Sequence, residues 1–260
     1  MKRTAVDSIP GLPDSLRDYI RSAPLYDSSC SPEARVWFAD RDEGIFIKTA
    51  PKGTLQTEAR MTAFYHSKGL GAQVLAYTAQ DADWLVTRRV PGEDCTHQTY
   101  LDDPRRLSET TGQLLRMLHE SDSAGCPVKN INHQLVTGAE KGFSAGTFEA
   151  DLFPYAASFP GAADAWAAAQ PGLPALKDEV LLHGDYCLPN IMLDNWRFSG
   201  FIDLGGGGVG DRHIDLMWGA WTLIFNLKTD KWCSRFLDAY GRDSVEPEKL
   251  RLVALLEAFR

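Results

Sequence analysis

The sequence predicts an α+β fold in which an antiparallel sheet with one helix precedes a larger, mainly helical part. In the first 90 residues, apolar and polar residues alternate in short runs separated by turn-forming residues, which is typical of strands. Beyond residue 100, apolar residues recur at helical spacing behind capping residues. A chain of 260 residues can form one large domain or two lobes. We divide it into an N-terminal lobe, residues 1–90, and a C-terminal lobe, residues 91–260.

The elements of the N-terminal lobe follow from its strand pattern. Strands are expected at residues 34–38, 45–48, 73–79 and 84–90, with helices at residues 14–21 and 55–67. Turn-forming residues separate these elements, in particular the polar loop 27–32 and the acidic turn 81–83. The lobe should therefore contain one antiparallel sheet with one long helix.

The C-terminal lobe is predicted to be helical. Its first long helix begins after Asp103, a suitable N-cap, and has Pro104 in its first turn. That helix extends to residue 121, and its apolar face is made by Leu107, Thr111, Leu114, Leu115 and Leu118. Further helices are expected at residues 132–140, 162–170, 215–227, 231–240 and 247–259.

The most informative stretch is residues 181–205, LLHGDYCLPNIMLDNWRFSGFIDLG. It contains two apolar segments that are joined by a turn at residues 194–196, and polar side chains follow each apolar segment. A strand-loop-strand unit of this kind brings Asp185, Asn190 and Asp203 to one end of a small hairpin.

These side chains suit phosphoryl transfer from a nucleotide. The reaction needs a carboxylate to orient the acceptor hydroxyl and take its proton, and hard oxygen ligands for Mg²⁺. Asp185 is the candidate base, and Asn190 and Asp203 are the candidate metal ligands. The alternative is that residues 183–185 form a polar turn and Asp203 ends a strand. Two motifs in this order, each at a strand end, favour the catalytic interpretation.

The strings HGDYCLPNI, FSGFIDLG and GDRHID resemble those of the aminoglycoside 3′-phosphotransferases, which are antibiotic kinases with a protein-kinase-like fold. The resemblance extends over nearly the whole chain and is strongest in the C-terminal third. It implies a two-lobe, protein-kinase-like α+β fold. It also implies ATP (or GTP) and Mg²⁺ as cofactors, with nucleotide binding in the N-terminal lobe and catalysis and acceptor binding in the C-terminal lobe.

The resemblance also implies how the nucleotide is held. Lys48 ends an apolar strand, and Glu58 lies near the start of the next helix, so they match the pair that binds and orients the α- and β-phosphates. The loop containing Ser31 is expected to offer backbone N–H groups to phosphate, although it lacks a glycine-rich signature. Residues that line the adenine pocket are Thr87, Arg88, Arg89 and Val90. The family usually has an acidic residue in place of Arg89, but a backbone contact survives that change.

The match is weaker for the acceptor. The resemblance implies that acceptor amines contact three acidic residues. Glu149 and Asp151 lie in a long loop, and Glu257 lies near the end of the last helix. The helix that follows IDLG is aromatic and apolar over residues 218–225, where the family has acids. Gly206 replaces the family's usual arginine, and Arg260 adds a positive charge.

The string GDRHID contributes two further expectations. Asp211 and Arg212 are expected to pair with each other. Asp215 resembles the aspartate that anchors the catalytic loop in kinase-like folds, so we treat it as structural.

Composition limits the partners. The net charge of −8 and the pI of about 5.3 argue against nucleic acid and are compatible with a small cationic acceptor. No apolar run approaches the roughly 20 residues that span a bilayer, and we expect no membrane association. The five cysteines are scattered, as in a cytoplasmic protein with reduced thiols. We expect a cytoplasmic monomer or weak dimer.

Three functions are compatible with these observations. The first is ATP-dependent phosphorylation of a hydroxyl on an aminoglycoside, which confers resistance. The second is a kinase of another small hydroxylated molecule, such as a different antibiotic class, a sugar or an amino alcohol, and the aromatic residues 218–225 favour it. The third, a catalytically silent nucleotide-binding protein, is disfavoured because the candidate catalytic residues are all present.

Overall fold

The computed structural model describes residues 3–30 and 32–260. The chain divides into two compact units, one made of Met1–Gly92 with Ser199–Gly205, and the other of Glu93–Phe198 with Gly206–Arg260. The segment Ser199–Gly205, which is far along the sequence, therefore groups with the first unit.

The first unit is built on a six-stranded antiparallel sheet of order β1-β2-β3-β4-β6-β5. Its strands are β1 (Thr4–Val6), β2 (Leu25–Asp27), β3 (Arg35–Ala39), β4 (Ile45–Pro51), β5 (Val74–Ala79) and β6 (Ala82–Arg88). Its α-helix is α1 (Gln56–Ser67), and a 3-10 helix spans Asp14–Ile20. The predicted sheet and helix are thus present.

The two faces of this sheet have different environments. Ile45 and Ile47 are buried on one face, in a core with Trp37 and Trp84 from neighbouring strands. Since side chains alternate along a strand, Phe46 and Lys48 lie on the opposite face of β4. Helix α1 packs on that opposite face, where its Ala59 joins an apolar cluster, together with Leu55, Ala50 and Leu85. This packing brings α1 next to Lys48.

The predicted acidic turn between β5 and β6 is present but lies at Gln80 and Asp81, because β6 already begins at Ala82. Asp83 is fully buried, and its Oδ2 accepts hydrogen bonds from the backbone N–H groups of Gly53 and Leu55, each at 2.9 Å. These two N–H groups lie just before α1 and have no acceptor within the helix. The residue therefore stabilises the start of α1 from within a strand.

The second unit is mainly helical. Its α-helices are α2 (Gln98–Leu101), α3 (Pro104–His119), α4 (Ile131–Ala145), α5 (Ala162–Ala169), α6 (His213–Leu227), α7 (Cys233–Tyr240) and α8 (Pro247–Glu257). Short 3-10 helices lie at Ala150–Leu152, Ala156–Ser158, Gln170–Ala175, Leu188–Asn190 and Arg242–Ser244. Helix α3 begins as predicted, because the Asp103 side chain accepts a hydrogen bond from the Arg106 N–H at 3.1 Å.

Short strands support the loops of this unit. They are β7 (Glu93–Asp94), β8 (Val180–Leu182), β9 (Ile191–Asp194), β10 (Arg197–Phe201) and β11 (Gly208–Gly210). Strand β8 pairs antiparallel with β11, and β7 pairs antiparallel with β9. Strand β10 begins in the second unit and ends in the first. A further 3-10 helix of three residues, Leu204–Gly206, follows it.

The core of the second unit lies around α8. Val253 and Leu256 of α8 are fully buried with Leu135 of α4 and Leu182 of β8. Within residues 3–30 and 32–260, none of the helices is both long and apolar enough to cross a membrane.

Candidate active site

The HGD segment forms a tight loop directly after β8. Gly184 has φ +81°, and a Cβ built on it would lie 1.9 Å from the carbonyl oxygen of Gly206. Only glycine combines a left-handed backbone with this close approach. The loop geometry therefore depends on Gly184.

Asp215 anchors this loop from the first turn of α6. Its Oδ2 accepts the His183 N–H at 2.7 Å and its Oδ1 accepts the Gly184 N–H at 2.8 Å. His119 Nε2 lies 3.2 Å from the same carboxylate, while its Nδ1 lies 2.8 Å from the Tyr240 hydroxyl. Burial lowers the pKa of His119, against the effect of the Asp215 carboxylate. Asp215 is structural, as its resemblance to the kinase anchor implies.

Asp185 and Asn190 lie together in this loop. The Asn190 Nδ2 donates to the Asp185 carboxylate Oδ2 at 2.8 Å and to the Asp185 carbonyl oxygen at 3.0 Å. The loop is also held to α6, because the Leu188 N–H donates to the Thr222 Oγ1 at 3.1 Å. With Nδ2 in both bonds, the Oδ1 of Asn190 is the atom that can serve as a hard metal donor. One carboxylate oxygen of Asp185 is thus oriented by the protein.

Lys48, Glu58 and Asp203 form a second group, within the first unit. The Lys48 Nζ lies 2.8 Å from Glu58 Oε2 and 2.9 Å from Asp203 Oδ1. Burial lowers the pKa of Lys48, but the charges of Asp203 and Glu58 outweigh this effect and the net pKa is raised. Burial also raises the pKa of Glu58, which the Lys48 charge opposes. The lysine therefore stays protonated between two carboxyl groups.

Asp203 has an unusual backbone conformation. Its φ is +58°, a left-handed conformation that aspartate tolerates better than most residues. Strand β10 is fixed just before it, because the Phe201 N–H donates to the Leu70 carbonyl oxygen at 2.8 Å. The Asp203 side chain is 53% exposed, so its carboxylate can reach a ligand.

A Mg²⁺ ion fits the chemistry of these side chains. Mg²⁺ is usually bound by one or two protein oxygens together with substrate phosphates. In the described part of the chain, no three His, Cys, Asp or Glu side chains converge to hold a metal by themselves. The amide oxygen of Asn190 and the exposed carboxylate of Asp203 are each a hard oxygen of the kind that Mg²⁺ accepts as a ligand.

The predicted adenine-pocket residues lie at the end of β6 and just after it. The Arg88 N–H donates to the Gln73 carbonyl oxygen and the Arg89 N–H to the Gly44 carbonyl oxygen, each at 2.9 Å. The Arg89 side chain donates to the Gly92 carbonyl oxygen at 3.0 Å, and Val90 is buried. Ser31, the predicted phosphate-loop residue, lies outside the described residues.

Sequence analysis missed Phe46. In the sheet register it stands opposite Thr87, and it lies two residues before Lys48 on the same face of β4. Its aromatic ring therefore shares the face that carries Lys48. The period-2 alternation of the strand, counted back from Lys48, is the signal that identifies it.

The predicted acceptor residues have two environments. Glu149 and Asp151 are exposed, and the Glu149 N–H donates to the Ala258 carbonyl oxygen at 2.7 Å. Glu257 is 5% exposed, and its net pKa is raised. Burial is the main cause; the Arg260 charge lowers the pKa and the Asp185 charge raises it further. The carboxylate of Glu257 thus lies within electrostatic reach of the candidate base.

The aromatic residues of α6 form a cluster that extends to the 3-10 helix Ala150–Leu152. Trp221 stacks on Phe225 with ring centroids 5.0 Å apart and donates from its Nε1 to the Leu152 carbonyl oxygen at 3.0 Å. Trp218 packs edge-on against Trp221 at 5.3 Å. Phe225 is 54% exposed. Both tryptophans also pack against the core.

The predicted pairing of Asp211 with Arg212 is wrong. Asp211 is fully buried and accepts hydrogen bonds from His213 Nδ1 at 2.6 Å and from Lys249 Nζ at 3.2 Å. Arg212 instead donates to Glu179 at 2.6 Å. Burial raises the pKa of Asp211, but the hydrogen bonds with His213 outweigh it and the net pKa is lowered.

The class of protein follows from the fold, which is the kinase-like fold of antibiotic phosphotransferases. An aminoglycoside-3′-phosphotransferase of type VIII superposes with a TM-score of 0.75 at 25% identity, over 95% of this chain and 97% of that one. An aminoglycoside phosphotransferase from Streptomyces rimosus ATCC10970, solved with ADP and streptomycin, superposes with a TM-score of 0.72 at 22% identity, over 86% and 90% of the two chains. The predicted α+β fold class is confirmed.

Sequence comparison gives the family. The model of the phosphotransferase enzyme family matches residues 32–253. A protein of Lactococcus lactis subsp. lactis (strain IL1403), named "Probable aminoglycoside 3′-phosphotransferase", is 42% identical over 253 residues, which is 97% of this chain and 96% of that protein. The chain belongs to the phosphotransferase enzyme family, and the resemblance stated from its motifs is confirmed.

Proposed function

We propose that this phosphotransferase transfers the γ-phosphoryl group of ATP, or GTP, to a hydroxyl of an aminoglycoside and thereby confers resistance. The observation that carries the proposal is the Asp185 carboxylate, which Asn190 orients within a loop anchored by Asp215. The names of the Lactococcus lactis relative and of the type VIII structure support the acceptor class. The ADP and streptomycin in the Streptomyces rimosus structure support the nucleotide and a small-molecule acceptor.

Asp185 acts as the general base. Its carboxylate accepts a hydrogen bond from the acceptor hydroxyl and takes the proton as the hydroxyl oxygen attacks the γ-phosphorus. The bond between that phosphorus and the oxygen bridging to the β-phosphate breaks, and the nucleoside diphosphate leaves with the electron pair. The Asn190 Nδ2 holds one carboxylate oxygen, which limits the orientations that Asp185 samples.

The first unit supplies the nucleotide contacts. Lys48 binds the α- and β-phosphates, with Glu58 fixing the direction of its ammonium group. Residues 87–90 and the Phe46 ring line the adenine, and of these Thr87 and Phe46 stand opposite each other on the face that carries Lys48. The loop that contains Ser31 offers backbone N–H groups to phosphate. We thus assign nucleotide binding to residues 1–90, and catalysis and acceptor binding to residues 91–260.

A Mg²⁺ ion would be held by Asn190 Oδ1 and the Asp203 carboxylate. When bound, it neutralises charge on the phosphate oxygens. Lys48 occupies one oxygen of Asp203 at 2.9 Å, so the other oxygen is the donor that needs no rearrangement.

Acceptor amines require carboxylates. Glu149 and Asp151 are exposed on one loop, and Glu257 lies near the base, so these three residues are the proposed partners of the ammonium groups. The cytoplasmic location and the monomeric or weakly dimeric state stay predictions.

A second candidate function is phosphorylation of a small hydroxylated molecule with an apolar face. The specific observation is Phe225, which is 54% exposed and stacked on Trp221 at 5.0 Å. An exposed aromatic pair binds the apolar face of a ring better than it binds several ammonium groups in water.

ADP production over a panel of acceptors tests both candidates. The panel contains kanamycin-type aminoglycosides, other antibiotics and simple alcohols, each with ATP and Mg²⁺. Turnover restricted to aminoglycosides is the expected result. Turnover restricted to acceptors that lack ammonium groups would replace the first function by the second. Nucleotide binding without turnover of any acceptor would contradict both functions.

A further inference from the structure

Glu257 is a buried carboxylate with an internal cation. Its side chain is 4% exposed, and the Arg260 Nη1 lies 3.1 Å from its Oε1 and 3.3 Å from its Oε2. The Trp218 Nε1 donates to the same Oε1 at 3.4 Å. The guanidinium therefore contacts both oxygens and is the main charge that balances this carboxylate.

The two members of the pair differ in burial. The Arg260 side chain is 47% exposed, so its guanidinium can leave Glu257 for water. Its stem lies over Gly138 of α4, where a Cβ on the glycine would be 3.4 Å from the Arg260 Nε. The arginine thus lies along a helix surface and does not penetrate the core. A pair with one exposed partner contributes little stability, so separation of the pair costs little when another cation takes its place.

The position of the pair connects it to the reaction. Trp218, which donates to Glu257, lies on α6 between Asp215 and Thr222, and these two residues hold the loop that carries Asp185. In the proposed function the acceptor hydroxyl lies against Asp185, and a neighbouring ring of the acceptor would extend toward Glu257. An ammonium group on that ring meets a carboxylate that is already paired.

We propose that the Arg260 guanidinium is an internal competitor that an ammonium group of the acceptor must displace from Glu257, and that Arg260 thereby sets the affinity for cationic acceptors. The inference rests on the proposed function, since it assumes an ammonium-bearing acceptor at Asp185. A carboxylate buried to this extent requires a cationic partner, so Glu257 exchanges the Arg260 guanidinium for the ammonium group of the acceptor. An acceptor without an ammonium group at that position leaves the pair intact and gains nothing from Glu257.

Steady-state kinetics of Arg260→Ala with kanamycin as the acceptor tests the proposal. The KM for kanamycin should fall about twofold to fivefold, the range in which one partly exposed ion pair contributes, with kcat and the KM for ATP unchanged. Arg260→Lys, which keeps a cation, should give an intermediate KM. Arg260→Gln removes the charge but keeps much of the stem. It should lower the KM for kanamycin to the same extent, and it replaces Arg260→Ala if that variant folds poorly.

Two further variants separate displacement from a general structural role. In a Glu257→Gln background, Arg260→Ala should no longer change the KM for kanamycin, because the paired charge is gone. Arg251→Ala is the matched control, since Arg251 lies on α8, the helix that carries Glu257, is 50% exposed and pairs with Glu248 at 2.6 Å. It should leave the KM unchanged.

The outcomes are distinguishable. If the wild type phosphorylates kanamycin and Arg260→Ala leaves KM unchanged or raises it, the displacement proposal is overturned and the proposed function stands. An effect that persists in the Glu257→Gln background overturns it as well. If the wild type neither binds nor phosphorylates any aminoglycoside, the proposed function fails, and the inference fails with it.

Discussion

Asp185 carries the chemical step in the proposed mechanism, and its environment explains why a carboxylate is required. The Asn190 Nδ2 donates to Oδ2, which leaves the other oxygen for the acceptor hydroxyl. Asp185→Asn keeps the shape but removes the proton acceptor. We expect kcat to fall by about 10²-fold or more with nucleotide affinity nearly unchanged, because general-base catalysis is typically worth 10²–10⁴. ADP production and calorimetry with nucleotide measure the two quantities. Turnover close to wild type would rule out Asp185 as the base.

Asp203 is the second residue whose removal is informative. Asp203→Ala should abolish turnover supported by Mg²⁺, because a hard ligand is lost. It also removes one partner of Lys48, so nucleotide binding measured without metal separates the two effects. Activity is followed as Mg²⁺ is titrated, with Asp81→Ala as a control that removes an exposed carboxylate from the same unit. Titrations that overlay for Asp203→Ala and the wild type would leave Asp203 with a structural role alone.

At the scale of single residues, residue type and spacing indicate candidate chemistry, whereas contacts depend on the folded chain. Asp185, Asn190 and Asp203 were predicted from residue type and spacing, because phosphoryl transfer needs those groups. Asp211 and Arg212 were wrongly paired because they are adjacent. Asp211 instead pairs with His213, two residues away, and with Lys249, 38 residues away, while Arg212 pairs with Glu179, 33 residues away. Tertiary packing decides the two distant pairs, for which the sequence contains no local signal.

Among the local elements, the loop that follows β8 depends on one glycine. Gly184→Ala would force a side chain into φ +81° and place its Cβ 1.9 Å from the Gly206 carbonyl oxygen. We expect unfolding free energy to fall by more than the roughly 1–2 kcal/mol that left-handed backbone alone costs, together with loss of turnover as Asp185 shifts. Chemical denaturation and ADP production measure these effects.

Gly125 provides the matched control for that substitution. Its φ is +79°, nearly the same as that of Gly184, but a Cβ there would have no atom within 4 Å. Gly125→Ala should therefore report the backbone cost alone, with turnover unchanged. Equal losses of stability in the two variants would show that the contact with Gly206 is unimportant.

Prediction of the elements succeeded where capping and periodicity agree. Helix α3 starts at Pro104 behind its Asp103 cap, as expected, because both signals are local. The turn predicted at residues 81–83 is shorter in the structure, at Gln80 and Asp81, so Asp83 belongs to β6. Asp83 is instead buried by its hydrogen bonds to residues 30 and 28 positions away, which a local pattern does not reveal.

At the level of the whole molecule, chain order and spatial grouping differ. The first unit contains Ser199–Gly205, and with it Asp203, although this segment follows more than 100 residues of the second unit. The Lys48–Asp203 contact at 2.9 Å joins residues 155 positions apart. Residue type predicted that both side chains serve the nucleotide, and only the folded chain reveals that they form an ion pair.

The net charge of −8 and the acceptor carboxylates lead to a prediction for the molecule as a whole. Binding of kanamycin should weaken as salt rises, because charges at exposed Glu149 and Asp151 are screened over about 8–10 Å at physiological ionic strength. Calorimetry at two salt concentrations measures this, in the wild type and in the Glu149→Gln/Asp151→Asn double variant. The double variant should bind more weakly and respond less to salt.

Phe225→Ala distinguishes this from recognition by the aromatic cluster. If carboxylates dominate, removal of the exposed ring should change kanamycin affinity only slightly, since cation–π contacts at exposed sites contribute about 0.5–1 kcal/mol. If the ring dominates, affinity should be nearly independent of salt and should collapse in Phe225→Ala. That second outcome, together with intact nucleotide binding, would replace the aminoglycoside by an acceptor with an apolar face, because screening acts on charges and leaves apolar burial in place.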